Sequence, residues 1–425
     1  MTTPLSDKTQ AAKANELHRW RLRCVALAIL LIPFLIVNLN APQSFTGYGI
    51  AAAFFLHLFT RYRPAEWLTA ALIGLALNQG AKSVSSLLHL PTRAPHFSLA
   101  MLGAGSLMIL GWCVVRASGA ELLDLQRTYL TAVVLLALVV VSQLIFLVKG
   151  AQSPTTLDAY LQVFDLSLAW PPVFIVGRWF QQIRFAHDLG KLTYSMLPVV
   201  VGILCAGYIR YLQSPPWQVL KIMAFAGLFG YAAYLFFPAV GPIYVPSFNF
   251  PMITVSLGDA TTSHSLLTFV PGTIVRNAMP SLHMAWALLV WINAAPLPRA
   301  FRVMTLIYAF LTVIVVLGLG EHYIVDLAVA VPFTVLVQAV GSGQTLNPST
   351  RRRAAIASAL LVALWLILLR FGTPILVVSP LVPWTCLIAS TVLSAKLLTP
   401  FLKSEIETVP RYAQTVASAQ VLNSD

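Results

Sequence analysis

Residues 278–289 read Ala-Met-Pro-Ser-Leu-His-Met-Ala-Trp-Ala-Leu-Leu and set His283 at the start of an apolar segment. Residues 320–327 read Gly-Glu-His-Tyr-Ile-Val-Asp-Leu and set His322 in a similar position, with Asp326 four residues later. A charged side chain within a bilayer span costs roughly 2.5–3.5 kcal/mol on insertion scales, so it is usually retained for function. We therefore interpret these three side chains as a candidate catalytic set.

The composition places the chain among membrane proteins. Of its 425 residues, 58% are hydrophobic and only 10% are charged, whereas soluble domains carry about 25% charged residues. Runs of apolar residues long enough to cross a bilayer recur from residue 22 to residue 395. This pattern predicts an all-α polytopic membrane protein and argues against a soluble enzyme held by a single anchor.

The charge and the cysteines narrow the range of partners. The formal net charge is +13, and the basic residues are spread among the loops, as membrane topology requires. Anionic lipid head groups are therefore the expected partners, and nucleic acid is not. The four cysteines lie inside apolar runs without metal-ligand spacing, so we expect neither a disulfide framework nor a metal site. The oligomeric state has no signal in the sequence.

The apolar runs predict twelve crossings in three groups. Four lie in the first third, at residues 22–39, 44–60, 97–117 and 128–148. Six form a denser block, at residues 157–180, 193–212, 218–237, 281–295, 299–319 and 322–340, and two follow at 354–371 and 374–395. We therefore divide the chain into N-terminal transmembrane helices (1–150), a catalytic six-helix core (151–345), and two C-terminal helices with a polar tail (346–425).

Two segments are irregular, residues 66–90 and the long loop 238–280. The first is apolar up to residue 77, is interrupted by Asn78-Gln79-Gly80 and then resumes weakly. It forms either a re-entrant pair or two short crossings, and the second case would raise the count to fourteen. The loop is rich in aromatic residues and proline, which suits a membrane interface. We expect it to cover the site or to line a lipid entrance, with a passive interfacial loop as the alternative.

The two histidine segments predict phosphoryl-transfer chemistry. His322 and Asp326 would share a face of a helix, where the carboxylate fixes the tautomer and leaves the second nitrogen as a nucleophile or base. His283 heads another helix, and Ser281 can cap that helix or bind an anion. Arg276 is the nearest cation that could hold phosphate oxygens. No acidic cluster lies near these residues, so we expect no metal and no other cofactor.

These residues also resemble a known family. Pro-Ser-Leu-His at 280–283 and His-Tyr-Ile-Val-Asp at 322–326 resemble two of the three signature motifs of the type 2 phosphatidic acid phosphatase superfamily. The closest branch looks like the one that contains inositol phosphorylceramide synthases, and residues 237–242 are similar to a loop of that branch. The resemblance covers roughly residues 157–340 and implies a six-helix phosphatidic acid phosphatase-type core.

The resemblance also implies roles for the site residues. His322 would be the nucleophile, Asp326 its orienting acid, and His283 the acid that protonates the leaving group. The first family motif is not visible, and the Ser-Arg that usually precedes the third-motif histidine is absent from residues 313–319. Phosphate must then be held by other groups, with Arg276 the first candidate. Weaker candidates lie between 178 and 191: Arg178, Arg184 and Lys191.

Two classes of function remain open at this point. The first is a lipid phosphotransferase or phosphatase that acts through a phosphohistidine. Transfer of a phospho-head group to or from a lipid alcohol is favoured, because the missing arginines are typical of the inositol phosphorylceramide and sphingomyelin synthase-like branch. A phosphatase that uses water as acceptor is the alternative. The second class is a lipid transporter or scramblase, in which polar residues would line a continuous path.

The positive-inside rule predicts the side of the membrane on which the site lies. Two crossings separate the histidine motifs, so both open on one face of the core. The opposite face carries eight basic residues: Lys149, Arg210, Lys221, Arg299, Arg302 and Arg351, Arg352 and Arg353. We therefore expect an exoplasmic or periplasmic site and cytoplasmic termini, provided that residues 66–90 make no net crossing.

Overall fold

The computed structural model describes residues 45–61, 63–87, 99–149, 154–253, 257–258, 267–272, 274–343 and 346–422. This part of the chain is almost entirely helical. Its one sheet is a two-residue antiparallel pair formed by Thr155–Thr156 (β1) and Thr268–Phe269 (β2). The prediction of an all-α polytopic membrane protein is thus confirmed, while the predicted crossing at 22–39 lies outside the described residues.

Fifteen α-helices are found within the described ranges. They are α1 (Phe45–Thr60), α2 (Pro64–Leu87), α3 (Leu99–Arg116), α4 (Gly119–Lys149), α5 (Asp158–Ser167), α6 (Pro172–Gln182), α7 (Arg184–Ser195), α8 (Leu197–Tyr211), α9 (Trp217–Phe236), α10 (Leu282–Asn293), α11 (Arg299–Gly318), α12 (Ile324–Gly341), α13 (Pro348–Phe371), α14 (Thr373–Leu376) and α15 (Leu381–Leu422). Two short 3-10 helices, Pro242–Tyr244 and Pro246–Phe248, follow α9.

Seven helices in the described part are long and apolar enough to cross a membrane, or nine if each of two bent helix pairs counts as one span. The seven include α3, α9, α11, α12 and α13, together with Glu121–Ile145 of α4 and Leu381–Lys403 of α15. Helices α1 and α10 are apolar but shorter. An integral membrane protein follows from these lengths. The count of twelve crossings stays a prediction.

The sequence misplaced one predicted break, in α2. The helix runs without interruption through Asn78-Gln79-Gly80. Gly80 has no atom within 4 Å of the place where a Cβ would lie, and a helical glycine costs only about 1 kcal/mol relative to alanine. Six residues earlier, Gly74 lies directly against the backbone of Met101 in α3. This packing stabilises the helix despite the low helix propensity of Asn78-Gln79-Gly80. A contact of this kind between two helices cannot be predicted from the sequence alone.

The predicted single crossing at 157–180 contains two helices, since the chain bends by 94° between α5 and α6, and whether the pair forms one span stays a prediction. The bend falls at Trp170-Pro171-Pro172, where proline removes backbone donors and clashes with a preceding helical turn. Ala169, just before it, has a φ of 62°. The predicted crossing at 193–212 likewise contains two helices, α7 and α8, with the break at Met196.

The described chain forms two compact units. One contains Met1–Gln143 and Pro198–Pro216, and the other contains Leu144–Leu197 and Trp217–Asp425. In the first unit, both carboxylate oxygens of Glu66 bind the guanidinium of Arg61, and Oε2 also contacts the buried ring of His57 at 3.2 Å. All the candidate site residues lie in the second unit. The three-part division drawn from the sequence stays a prediction.

Helix α10 carries the first histidine motif and is held at the centre of the second unit. It packs against α9, α11 and α12. The approach to α9 requires a glycine, because a Cβ at Gly230 would lie 2.4 Å from Cδ2 of Leu282. With only 12 residues, α10 rises about 18 Å, well short of the membrane thickness. Ser281 and Leu282 at its start are buried, and the N–H of Ser281 donates to the carbonyl oxygen of Asp326 in α12.

Candidate functional site

The second histidine motif begins outside its helix. Helix α12 starts at Ile324, so His322 lies two residues before it, and Tyr323 is the N-cap. Asp326 is the third helical residue, and its Oδ2 accepts a hydrogen bond of 2.8 Å from the backbone N–H of Tyr323. This carboxylate caps the helix. The expectation that His322 and Asp326 share a helical face is corrected, because the cap starts the helix after the histidine.

His322 has two acceptors near the same ring nitrogen. Its Nδ1 lies 3.0 Å from the carbonyl oxygen of Ala278 and 3.4 Å from Oδ2 of Asp326. A carbonyl oxygen can only accept, so Nδ1 is assigned the proton and Nε2 keeps its lone pair. The side chain is buried. The ring is therefore oriented first by a backbone carbonyl and second by the carboxylate that the sequence indicated.

Ser281 joins the two histidine motifs through its backbone. Its N–H donates to the carbonyl oxygen of Asp326 at 3.2 Å. Its Oγ accepts from the N–H of Met284 at 3.3 Å and so caps α10, one of the two functions that the sequence suggested. Its predicted contact with an anion stays a prediction.

His283 lies in the first turn of α10 and faces His322, with 6.5 Å between the ring centroids. On its other side it stacks on Tyr194 of α7, with 3.7 Å between centroids and 23° between the planes. The indole of Trp286 meets the same ring edge-on. No sequence pattern singles out Tyr194, because a tyrosine in a polar helix is an ordinary interfacial residue.

Glu321 adds a carboxylate beside the histidines. Its Oε1 accepts a hydrogen bond of 2.8 Å from the hydroxyl of Tyr244. Burial raises the pKa of Glu321, while the bond from Tyr244 and the positive charges of His322 and Lys191 lower it. Lys191, on α7, is thus within electrostatic reach of the motif that contains the nucleophile candidate.

Of the other three predicted cations, Arg184 lies exposed on α7 beside Asp188, and Arg276 and Arg178 are engaged or placed elsewhere. Arg276 is buried, and its guanidinium donates to the carbonyl oxygens of Pro271 and Val270, each at 3.0 Å, and to that of Ile274. These bonds hold together the end of the long loop, just before Ser281. Arg178 lies exposed on α6. For both arginines, phosphate binding stays a prediction.

Two aspartates on α5, which the sequence did not mark as site residues, hold the second motif in place. Asp158 accepts a bond of 3.1 Å from the hydroxyl of Tyr323, and Asp165 accepts one of 3.4 Å from the N–H of Ile324. Both aspartates are fully buried. Two acidic residues seven positions apart in an apolar helix lie on one face. That spacing was the signal that could have found them.

The loop after α9 lies directly against the residues before His322. Ile243 donates its N–H to the carbonyl oxygen of Gly320 at 3.1 Å. Gly241 has a φ of 90°, and a Cβ there would lie 2.2 Å from the carbonyl oxygen of Glu321. Only glycine allows both the conformation and this approach. Among the described residues, no group of three or more histidine, cysteine, aspartate or glutamate side chains could hold a metal ion.

The pKa of His322 provides a test of this geometry. Burial lowers it from 6.5 to about 4, while the charge of Glu321 and the bond to Ala278 raise it. Glu321→Gln removes a negative charge that favours the imidazolium, so we predict that the pKa of His322 falls further. An NMR titration of histidine-labelled protein, assigned with His322→Gln, measures this. Tyr244→Phe keeps the charge and should shift the pKa less. A rise in Glu321→Gln would contradict the geometry.

Residues 159–340 match the model of a family described as the PAP2 superfamily, which contains the type 2 phosphatidic acid phosphatases. No curated protein and no solved structure matches the chain. The matched segment runs from α5 to α12 and includes both histidine motifs. The match supports the PAP2 superfamily for this segment, as the resemblance of the two motifs predicted.

Proposed function

We propose that this protein is an integral-membrane enzyme that transfers a phosphoryl group from a lipid phosphoester through a phosphohistidine at His322. The observation that carries the proposal is the pairing of His322 with His283, because one buried ring has a fixed Nδ1–H and the other faces it at 6.5 Å. The match of residues 159–340 to the PAP2 superfamily supports a lipid phosphatase-like function.

In the first step, Nε2 of His322 would attack phosphorus and the bond to the leaving oxygen would break. The proton for that oxygen would come from His283, which faces His322 across the site. The phosphorylated ring keeps its Nδ1 proton and becomes cationic, so the carboxylate of Asp326, 3.4 Å from Nδ1, stabilises it. In the second step His283 accepts a proton from the incoming water or alcohol, and the histidine–phosphorus bond breaks.

The negative charge of the equatorial phosphoryl oxygens needs fixed donors. The N-terminal N–H groups of α10 beside Ser281 are suitable, since a helix start offers unpaired donors and a positive dipole end. Lys191 is one candidate cation, because its charge lowers the pKa of Glu321 beside the histidines. Arg276 and Arg178 are the further candidates. Metal independence belongs to the same proposal.

The acceptor separates two forms of the reaction. We favour a lipid alcohol, which makes the protein a phosphotransferase, because its motifs resemble those of the inositol phosphorylceramide synthase-like branch. Water as the acceptor makes it a lipid phosphate phosphatase. The transporter interpretation is less favoured, because the polar side chains described here converge around His283 and His322 instead of extending along a path.

A panel of variants tests the proposed roles. We predict that His322→Ala abolishes turnover, that His283→Ala nearly does so, and that Asp326→Asn leaves more activity. Removal of a positioned acid or base typically costs about 10²–10⁴-fold. The assay measures released phosphate and new lipid by mass spectrometry, using lipid phosphates and phospholipids with and without alcohol acceptors. EDTA should change little.

His187→Ala is the matched control. This histidine lies on α7 next to Asp188 and is 34% exposed, so we expect activity close to that of the unchanged protein. Substantial activity of His322→Ala on every substrate, or a requirement for an added divalent ion, would refute the assignment.

The site is proposed to face the exoplasmic or periplasmic side. In a variant without the native cysteines, Ser247→Cys marks the exposed loop after α9, and Arg352→Cys marks the start of α13. We predict that a membrane-impermeant thiol reagent added to intact cells labels the first position and not the second. Labelling of Arg352→Cys alone would reverse the orientation.

A further inference from the structure

Asp158 is the most heavily hydrogen-bonded carboxylate among the described residues near the motifs, and the steps above give it no role. It is the first residue of α5 and is fully buried. Its oxygens accept from the N–H of Val240 at 3.1 and 3.2 Å, and from the N–H of Gly241 and the hydroxyl of Tyr323, each at 3.1 Å. An ionised carboxylate can accept all of these bonds at once.

These contacts continue as a hydrogen-bond chain that ends at His322. The N–H of Val240 and the carbonyl of Ala239 belong to one peptide group, which is planar and rigid. A carboxylate that holds the N–H therefore also fixes the direction of the carbonyl. That carbonyl oxygen accepts the N–H of Ala278 at 3.0 Å, and the carbonyl oxygen of Ala278 accepts Nδ1–H of His322 at 3.0 Å.

Asp158 also holds the donor side of the bond between His322 and Ala278. The hydroxyl of Tyr323 donates to Asp158, and Tyr323 is the fully buried residue that follows His322. One carboxylate thus positions both the acceptor of the imidazole bond, through residues 239–240 and 278, and the backbone that carries the imidazole. The N–H and the carbonyl of Ala278 belong to two different peptide groups, so Ala278 links these bonds by its position and not by polarisation.

We propose that Asp158 is a positioning residue that keeps the His322 ring in the Nδ1–H tautomer and in the orientation needed for attack by Nε2. The proposal deepens the proposed function and rests on it. Asp326 then acts second, as the charge beside Nδ1, whereas the bond that selects the tautomer comes from Ala278.

Asp158→Asn tests this role with little change in shape. Gly241 and Tyr323 donate to Oδ1 of Asp158, whereas Val240 donates to both oxygens. An asparagine that keeps its oxygen at the Oδ1 position therefore turns its amide group towards the N–H of Val240. We expect the kcat for phosphoester turnover to fall about tenfold to a hundredfold with KM little changed, as for a small misplacement of a catalytic group. In histidine-labelled protein, the 15N signals of His322 should change from the Nδ1–H tautomer to a mixture.

Asp165→Asn is the matched control. It makes the same substitution seven residues along α5, but its bond goes to the N–H of Ile324, outside the hydrogen-bond chain. We expect it to retain the Nδ1–H tautomer of His322. If Asp158→Asn keeps both the tautomer and the kcat of the unchanged protein, the proposal is wrong.

Failure of the proposed function can be distinguished from failure of the proposal for Asp158. If the unchanged protein turns over no lipid phosphoester, the proposed function fails, while the NMR comparison still decides whether Asp158 controls the tautomer. If Asp158→Asn does not fold, the unchanged protein supplies the test, because a His322 that carries its proton on Nε2 overturns the proposal.

Discussion

The hydrogen bond from Nδ1 of His322 to the carbonyl oxygen of Ala278 decides what the site can do. The ring is buried in an apolar bundle, where an unpaired polar group costs about 1–3 kcal/mol. Once Nδ1–H is satisfied, Nε2 is the nitrogen with a lone pair. The cap formed by Asp326 and the bond from Ser281 to the same residue keep the two motifs in register. Asp158 bonds to the N–H of Val240 and to the hydroxyl of Tyr323, on either side of this bond.

The site residues that could be predicted from the sequence are polar side chains within apolar segments. His283, His322 and Asp326 stood out because a membrane span rarely contains such groups, and the long apolar runs indicated most of the helices. The prolines at 171 and 172 mark the bend after α5, yet run length alone predicted one crossing there. Periodicity describes helices well, whereas their ends depend on caps and proline chemistry.

The rest depends on contacts between residues that are distant in the chain. Asp158 binds the N–H of Val240, 82 residues later, and no local pattern reveals that partner. Arg276 was predicted as a phosphate ligand from its charge, but its described hydrogen bonds go to carbonyl oxygens of its own loop. Tyr194 stacks on His283 from a separate helix. Sequence reasoning singled out His283, His322 and Asp326, and it missed Asp158 and Tyr194, which contact the two histidine motifs from distant parts of the chain.

Direct chemical trapping gives the most decisive measurement. Purified protein would be incubated briefly with a lipid phosphoester labelled with 32P in the transferred group and quenched in alkali, in which phosphohistidine survives. The labelled peptide would then be identified by mass spectrometry. We expect the label on His322, with none in His322→Ala. Turnover with no label at His322, or with the label on another residue, would contradict the proposed mechanism.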